Sequence, residues 1–443
     1  MATTFTFGNP QPSPDNYNDF SQSDLIGDSG VTASSVLQNI PPPRVNPPVI
    51  SLDSVLGADT VAQIQKTGGI ALHVVGDTGG IKTPEHQFAV ADAMATDLEG
   101  ATYATGRPAF FYHLGDVVYY CGQEQYYYDQ FYDPYRDYDA PIFAIPGNHD
   151  GCVFSGEKAP SLDAFQKNFC AAQPTHNPDA QGVARTTMTQ PGVYFTLNAP
   201  FLKIIGLYSN VGEGATAGVI SGSQIGNGQL TFLQSQLKAA AAARAQPGSA
   251  PFALVIATHH PPFTGSISHA PSPEMLQQID AACKAAGIWP DMHWSGHSHL
   301  YERFTRTIGG RDIPYIVAGM GGYPSLSGLK RGGQGQTVPA GTKGDDGAGN
   351  ALVVECYNNS TFGYLRVQVT AASVVMEFLG VDEVKRTAQI LDSFTLDLKA
   401  HKVSNAKTGA SVASPKMTTQ STGGKPKTMR KPAKTTQKKS GGR

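Results

Sequence analysis

Seven side chains that could bind metal ions stand at or just past the ends of predicted strands. They are Asp77, Asp116, Tyr119, Asn148, His259, His297 and His299. The apolar runs that precede them and predict strands are 70–75, 110–114, 142–145, 254–257 and 292–294. Because the carboxyl ends of strands gather at one rim of an open α/β sheet, we expect these side chains to converge there. Oxygen and nitrogen donors from five strands predict a site for two metal ions.

The donor types suit two different ions. A phenolate stabilises trivalent iron, whereas a borderline divalent ion accepts imidazole nitrogen and amide oxygen. Asp116 could bridge both ions, since a carboxylate has about four lone-pair sites. Tyr119 stands three residues later, within reach of the same ion. Ser298 separates His297 from His299, so an extended segment would direct both imidazoles to the same side.

Each motif taken singly has a plain structural alternative. Gly76-Asp77 after a strand is typical of a turn, and a lone histidine on an apolar run is typical of a core residue. Tyr119 lies among several other tyrosines, where packing alone would explain it. The five motifs occur together and in order, each after a strand, and this combination favours the metal site.

The elements that must position these residues alternate between strand-like and helical patterns from about residue 50 to 398. Three helical faces are predicted by apolar spacing: Phe88, Ala91, Met94 and Leu98; Leu230, Leu233 and Leu237; Met275, Leu276, Ile279 and Cys283. Strand-like runs at 351–356, 364–369 and 374–379 dominate the end of this region. The pattern predicts an α/β domain with mixed sheets and a sheet-rich second half. The glycine-rich stretch 319–349 predicts a mobile loop at the mouth of the site.

The two flanks differ from this domain in composition. Residues 1–49 are polar and rich in proline, which predicts an extended N-terminal arm. Residues 400–443 carry 11 Lys and Arg and no Asp or Glu, which predicts a disordered basic tail. The catalytic domain would then span 50–399. The tail could contact polyanions non-specifically, although no aromatic residue interleaves its lysines to stack on bases.

Compartment is predicted from what the chain lacks. The sequence contains no stretch of 18 uncharged apolar residues, so no membrane span is predicted. The N-terminus lacks the basic and apolar regions of a signal peptide. The five cysteines form no recognisable framework, although Cys152 and Cys170 could pair in an exported protein. We therefore expect a cytoplasmic protein, with export by a non-standard route as the alternative.

The combined motifs resemble the metallophosphoesterases, the calcineurin-like phosphoesterase superfamily. They read Asp-x-Gly, Gly-Asp-x-x-Tyr, Gly-Asn-His-Asp, a histidine two residues before a proline, and Gly-His-x-His. Tyr119 and the run Gly-His-Ser-His-Leu-Tyr-Glu-Arg at 296–303 are similar to the purple acid phosphatases. The resemblance implies a four-layer α/β/β/α sandwich of two mixed β-sheets flanked by helices, with the dimetal site at the strand carboxyl ends.

The resemblance also implies a division of the metal ligands. Fe(III) would be held by Asp77, Asp116, Tyr119 and His299, and a divalent Fe, Zn or Mn ion by Asp116, Asn148, His259 and His297. His259 is chosen over His260 because the family ligand stands two residues before a proline, here Pro261.

The function implied is a phosphomonoester hydrolase of acid phosphatase type, in which a metal-bound hydroxide attacks a small phosphorylated substrate. His149 and His269 are the candidate catalytic acids for the leaving alkoxide, and His149, His260 and Tyr301 the candidate substrate contacts. For His149 the alternative is an orienting role, and for His269 a solvated loop residue.

The main alternatives are a phosphodiesterase or nucleotide pyrophosphatase on the same scaffold and, outside enzymes, a polyanion-binding protein that uses the basic tail. No specific protein partner is predicted. Two departures from the family concern substrate range: Met320-Gly-Gly replaces a frequent Asp-Gly-Gly, and 1–49 is too short for the β-sandwich of the large enzymes.

Overall fold

Two mixed β-sheets, flanked by helices, form the architecture of this chain. The computed structural model describes residues 38–405 except 82, 120, 153–158, 211–217, 224 and 330–337. Within these residues the strands are β1 (Val49–Ser51), β2 (Gly69–Val75), β3 (Pro108–His113), β4 (Ile142–Ala144), β5 (Phe195–Ala199), β6 (Leu202–Gly206), β7 (Ala253–Ala257), β8 (Met292–Ser295), β9 (Tyr301–Ile308), β10 (Arg311–Ala318), β11 (Lys343–Asp345), β12 (Ala351–Asn358), β13 (Gly363–Thr370), β14 (Ser373–Asp382), β15 (Thr387–Asp397) and β16 (Lys402–Asn405). The α-helices are α1 (Asp53–Leu56), α2 (Ala58–Thr67), α3 (Pro84–Thr96), α4 (Asp163–Phe169), α5 (Gly228–Ala245) and α6 (Pro273–Ala286).

The two sheets have different strand orders. The seven-stranded sheet runs β16-β15-β14-β13-β2-β3-β4, and the nine-stranded sheet runs β1-β5-β6-β7-β8-β10-β9-β12-β11. In the first, β2, β3 and β4 are mutually parallel and the remaining pairs are antiparallel. In the second, β6, β7, β8 and β10 are parallel neighbours. Both sheets are therefore mixed, as the sequence resemblance implies.

The five strands that precede the predicted ligands are those of the sequence analysis, within one or two residues at their ends. Strands β3, β4, β7 and β8 are buried along their whole length, which is typical of parallel strands covered on both faces. The sheets share one core, in which the ring of Tyr112 lies 6.3 Å from that of Phe195 and 6.5 Å from that of Trp294. Tyr112 belongs to the seven-stranded sheet, and its two partners belong to the nine-stranded sheet.

The three predicted helical faces are confirmed as α3, α5 and α6. Helix α3 starts at Pro84, packs against β13 and β14, and buries Met94. Helix α6 ends at Gly287, which takes the left-handed conformation common after the last helical turn. Leu98 is buried but lies just beyond the end of α3.

The five strands that precede the predicted ligands are divided between the two sheets. Strands β2, β3 and β4 lie in one sheet, and β7 and β8 lie in the other. A hydrogen bond joins the two sheets at their carboxyl ends, since the Gly76 N–H, just after β2, donates to the carbonyl of Ala318, the last residue of β10, at 2.9 Å. The site is thus formed where two sheets meet.

The predicted N-terminal arm is described only from residue 38. Within it, Arg44 donates to the carbonyl oxygens of Thr189 and Gln190, each at 3.0 Å, so this segment lies on the domain surface. Val49 already begins β1, which pairs in parallel with β5. The remainder of the predicted arm lies outside the described residues.

The predicted disordered tail begins too early at residue 400. Residues 402–405 form β16, which pairs antiparallel with β15, and Val403 packs against the core. A short run with one apolar residue is enough here, because the open edge of β15 supplies hydrogen-bond partners. Residues 406–443 lie outside the described part of the chain, so their contact with polyanions stays a prediction.

The structure also bears on three smaller expectations, which concern the glycine-rich stretch, the cysteines and membrane spans. The stretch 319–349 contains strand β11, and its residues 330–337 lie outside the described part. The structure shows no disulfide between Cys152 and Cys170. Across the described ranges, the helices are too short or too polar to span a membrane.

Candidate metal centre

A first group of donors consists of Asp116, His259 and His297, whose ligand atoms all lie within 4.8 Å of one another. Asp116 Oδ2 is 3.2 Å from His259 Nε2. Asp116 Oδ2, His259 Nε2 and His297 Nε2 are buried and have no hydrogen-bond partner of good geometry among the described residues. Buried polar atoms are rarely left unsatisfied, and three of them at one point fit a bound cation.

The imidazole of His259 is oriented for such a role. Its Nδ1 donates to the Leu114 carbonyl at 2.8 Å, which directs Nε2 towards Asp116. Burial lowers its pKa, but the Asp116 and Asp77 carboxylates outweigh this and raise the pKa of His259 to about 9. A proton thus balances the carboxylates when no ion is bound, and a metal ion would take its place. For His297, burial and the neighbouring His260 and His269 lower the pKa well below its usual value, which favours the neutral form that binds metals.

A second group consists of Asp77, Asp116 and His299, again with ligand atoms within 4.8 Å of one another. Asp77 Oδ1 is 3.5 Å from His299 Nε2, and the Tyr119 hydroxyl lies 3.3 Å from each of these two atoms. Burial, Asp116 and Asp77 raise the pKa of Tyr119 well above its usual value, so a phenolate here needs a nearby cation. Asp116 belongs to both groups, as a bridging ligand would.

Three of these residues have left-handed backbone conformations: φ is 56° at Asp77, 53° at Asp116 and 66° at His297. Such conformations cost about 1–3 kcal/mol outside glycine and concentrate at functional sites. Here side chains hold them, since Asp77 Oδ2 accepts the His297 N–H at 2.8 Å and Asp116 Oδ1 accepts the His149 N–H at 3.0 Å. Each carboxylate therefore keeps its second oxygen for the site.

The prediction that residues 297–299 form an extended segment is wrong, because His297 has a left-handed backbone conformation. The chain bends after β8, with positive φ at His297. As a result His297 belongs to the first donor group and His299 to the second.

Asp150 fixes the loops that carry the donors, a role that the sequence analysis did not assign. Its carboxylate accepts the N–H groups of Val117 (3.1 Å), Val118 (3.2 Å) and Gly147 (2.8 Å). One buried carboxylate thereby joins the loop after β3 to the loop after β4. Asn148 follows Gly147 in that second loop and is 2% exposed. In the sequence, the signal for this role is that Asp150 is the last residue of the Gly-Asn-His-Asp motif.

Gln130 positions Tyr119 and was also missed. Its side-chain oxygen accepts the Tyr119 N–H at 2.8 Å, and its side-chain nitrogen donates to the Tyr119 carbonyl at 2.8 Å. A glutamine inside a tyrosine-rich run gives no signal in the sequence, because its partner lies eleven residues away on a loop.

Four rings surround the two donor groups. His149 lies 4.5 Å from the Tyr119 ring, and His260 lies 4.0 Å from the His297 ring. His269 lies 4.5 Å from His297 and 4.8 Å from His299, so it faces both groups. Tyr323, which the sequence analysis did not single out, lies 4.1 Å from His299 and 4.6 Å from Tyr119.

Tyr301 is placed elsewhere, and its predicted contact with substrate lacks support. Its hydroxyl donates to Asp392 at 2.7 Å, and its ring stacks on Phe378 at 4.4 Å. The side chain is 1% exposed. A phenol that is buried and donates to a carboxylate serves the packing of β9 on the seven-stranded sheet.

Gly147→Ala should disable the centre while leaving the fold in place. A Cβ at Gly147 would overlap Asp116 Oδ1 and lie 2.5 Å from the Asp116 nitrogen, so the shared carboxylate must move. Displacements near 1 Å can cost roughly 10²-fold in rate, and we expect a loss of that order together with lower metal content. Turnover and elemental analysis measure it. Gly182→Ala is the matched control, since a Cβ there meets nothing within 4 Å; equal metal content in both variants would contradict the placement of Asp116.

The model of the calcineurin-like phosphoesterase family matches residues 70–301, just over half of the chain. No curated protein matches the chain. Among solved structures, the GAP50 anchor of the inner membrane complex of Plasmodium is 13% identical, with 74% of this chain and 89% of that chain covered and a TM-score of 0.48.

Two further structures are similar to the chain. PhoD is 12% identical, with 84% of this chain and 74% of that chain covered and a TM-score of 0.43. A dimetal phosphatase from Danio rerio is 11% identical, with 73% and 98% covered and a TM-score of 0.40.

Proposed function

The chain belongs to the calcineurin-like phosphoesterase family, whose members hydrolyse phosphoesters with metal ions, and we propose that it is a phosphomonoester hydrolase of acid phosphatase type. The observation that carries this proposal is the Tyr119 hydroxyl, 3.3 Å from both Asp77 Oδ1 and His299 Nε2. This phenol lies beside two donors of the second group, which gives that position an oxygen ligand suited to a trivalent ion. This ligand supports the assignment of one trivalent and one divalent ion.

The two groups support the ligand sets that the resemblance implies. Fe(III) would be held by Asp77, Asp116, Tyr119 and His299, and a divalent Fe, Zn or Mn ion by Asp116, Asn148, His259 and His297. Bound there, the two ions would supply Lewis-acid activation of water and of the phosphoryl oxygens. Asp116 would hold both ions at one spacing, because it belongs to both groups.

The residues around the groups favour a monoester over a diester. A phosphomonoester dianion presents three non-bridging oxygens, one more than a diester, and needs correspondingly more donors. His149, His260 and His269 lie around the donor groups and can donate to such oxygens from different directions. His269 is our candidate for the acid that protonates the leaving alkoxide, and His149 and His260 for substrate contacts.

Tyr119→Phe tests the proposed trivalent site. The oxidised wild-type protein should show a broad visible charge-transfer band from the tyrosinate–iron pair, and the variant should lose or shift this band. Elemental analysis of the purified proteins and their visible spectra measure the effect together.

Tyr323→Phe is the matched control for that experiment, because its ring lies 4.6 Å from Tyr119 and 4.1 Å from His299. It should keep the band. A colourless, fully metallated and active wild-type enzyme would remove the iron–tyrosinate assignment while leaving a two-metal esterase in place. A band that disappears with Tyr323→Phe instead would move the assignment to Tyr323.

A further inference from the structure

Two cysteines line one small cavity beside the proposed metal centre. The cavity has a volume of about 160 Å³, and Cys121, Cys152 and Asp150 are among the residues that line it. Cys121 is 6% exposed, Cys152 9% and Asp150 3%, so all three line the cavity as nearly buried residues. Glu124 and Pro160, which also line it, are exposed and form its rim. The thiols therefore share a space that opens to solvent.

The two loops that carry these thiols are in direct contact. A Cβ built on Gly122, the residue after Cys121, would lie 2.8 Å from the Cα of Asp150. The Cys152 N–H donates to the His149 carbonyl at 3.3 Å, which folds Cys152 back onto the same turn. A disulfide needs Cα atoms about 4.4–6.8 Å apart, so the contact between the two loops is the geometric condition on which the pair depends.

The size of the cavity restricts what can react there. Pockets for drug-sized ligands have volumes of about 300–1,000 Å³, whereas one water in the liquid takes about 30 Å³. A cavity of about 160 Å³ admits a few waters or a small hydroperoxide.

None of the three other cysteines is among the described residues that line this cavity. Burial raises the pKa of Cys170 to about 12, of Cys283 to about 12 and of Cys356 to about 11, and the thiolate is the reactive form. Cys170, the partner that sequence spacing offered to Cys152, follows the C-terminus of α4 and pairs through its backbone with Thr189.

We propose that Cys121 and Cys152 form a redox-responsive pair, which small hydroperoxides such as hydrogen peroxide convert to a disulfide. In the first step one thiol becomes a sulfenic acid and the peroxide is reduced to water. The second thiol then attacks the sulfenic sulfur, the S–S bond forms, and a second water leaves. In total the two thiols lose two protons and two electrons, which one peroxide takes up to give two waters.

The bond would tether the two loops that carry Tyr119 and Asn148. Cys121 lies two residues after Tyr119, and Cys152 lies four residues after Asn148. In the reduced protein these loops are joined by the hydrogen bonds of Asp150. A covalent link adds to them, and it should slow the opening through which ions leave. This consequence rests on the proposed metal site, whereas formation of the bond does not.

Peptide mapping tests the bond. Full-length, metal-loaded protein is treated with hydrogen peroxide, denatured, alkylated and digested without reductant. We expect a mass lower by two hydrogens before alkylation, three alkylated thiols instead of five, and one cross-linked peptide that contains Cys121 and Cys152. Cys121→Ser and Cys152→Ser should each abolish this peptide, and Cys170→Ser should keep it. Five alkylated thiols after oxidation, or a cross-link that contains Cys170, would overturn the proposal.

A second measurement tests the tether. The rate at which a chelator removes metal is compared between oxidised and reduced wild-type protein, with peroxide-treated Cys121→Ser as the control. We expect a rate several-fold lower only for the oxidised wild type, and equal rates would overturn the tether. A protein that purifies and reconstitutes without metal would defeat the proposed function, and the peptide map would still decide the pair.

Discussion

Asp116→Asn should lose both metal ions, and its turnover should fall more than about 100-fold. Losses of 10–100-fold in metal affinity or activity follow the removal of residues that only orient ligands, and a carboxylate shared by two ions should cost more. Asp116 is the one residue that belongs to both donor groups in the described part of the chain. Asparagine keeps the shape and can still accept the His149 N–H.

Variants at the two histidines of the Gly-His-Ser-His segment provide the matched comparison. His299→Ala removes a donor from the second group alone, and His297→Ala removes one from the first group alone. We expect about one ion per chain in each, against none in Asp116→Asn. Elemental analysis and thermal melting, measured together, separate loss of metal from loss of fold. One retained ion in a folded Asp116→Asn protein would show that the bridge lies elsewhere.

Much of this centre could be predicted from the sequence because its determinants are local. A short apolar run predicts a buried strand, and the polar residue that follows the strand stands at most a few positions later in the sequence. Asp77, Asp116 and His259 were identified in this way, and the structure places their side chains together. Helix α6 was predicted for the same reason, from apolar residues spaced at its own period.

What the sequence did not predict depends on distant parts of the chain. The five strands are divided between two sheets according to which strands pair, and an apolar run in the sequence does not show which strand it will pair with. The bend at His297 is held by a hydrogen bond to Asp77, 220 residues earlier. Tyr323 reaches the site because its N–H donates to the Asp77 carbonyl at 3.0 Å. Each of these features is a long-range contact without a local pattern.

The placement of His269 leads to the second large expected effect. His269 Nδ1 lies 3.3 Å from the Ser327 hydroxyl, and its backbone N–H donates to Ser266 Oγ at 3.2 Å. Its loop is joined to the segment of Ser327 by a second contact, in which the Ile267 N–H donates to the Gly328 carbonyl at 2.9 Å. These contacts hold the imidazole over both donor groups. The alternative of a solvated loop residue is therefore less well supported than a residue of the site.

His269→Ala should lower turnover roughly 10²-fold or more on an alkyl phosphate, in line with general-acid contributions, and clearly less on an activated aryl phosphate. A strongly basic alkoxide needs its proton in the transition state, whereas an acidic phenol departs without one. The ratio of turnover on the two substrates is the measurement. His176→Ala is the control, because His176 is an exposed histidine that contacts the carbonyl of its own neighbour Asn177.

His149→Ala separates the acid from residues that orient the substrate. His149 Nε2 lies 3.9 Å from Asp116 Oδ2, and its ring packs against Tyr119, so it is tied to the donors themselves. Its loss should reduce turnover on both esters by similar factors, since positioning does not depend on the leaving group. Equal losses on both esters for His269→Ala would make it a positioning residue as well. If instead His149→Ala shows the larger loss on the alkyl ester, the acid is His149, and the proton reaches the leaving group from the Tyr119 side of the centre.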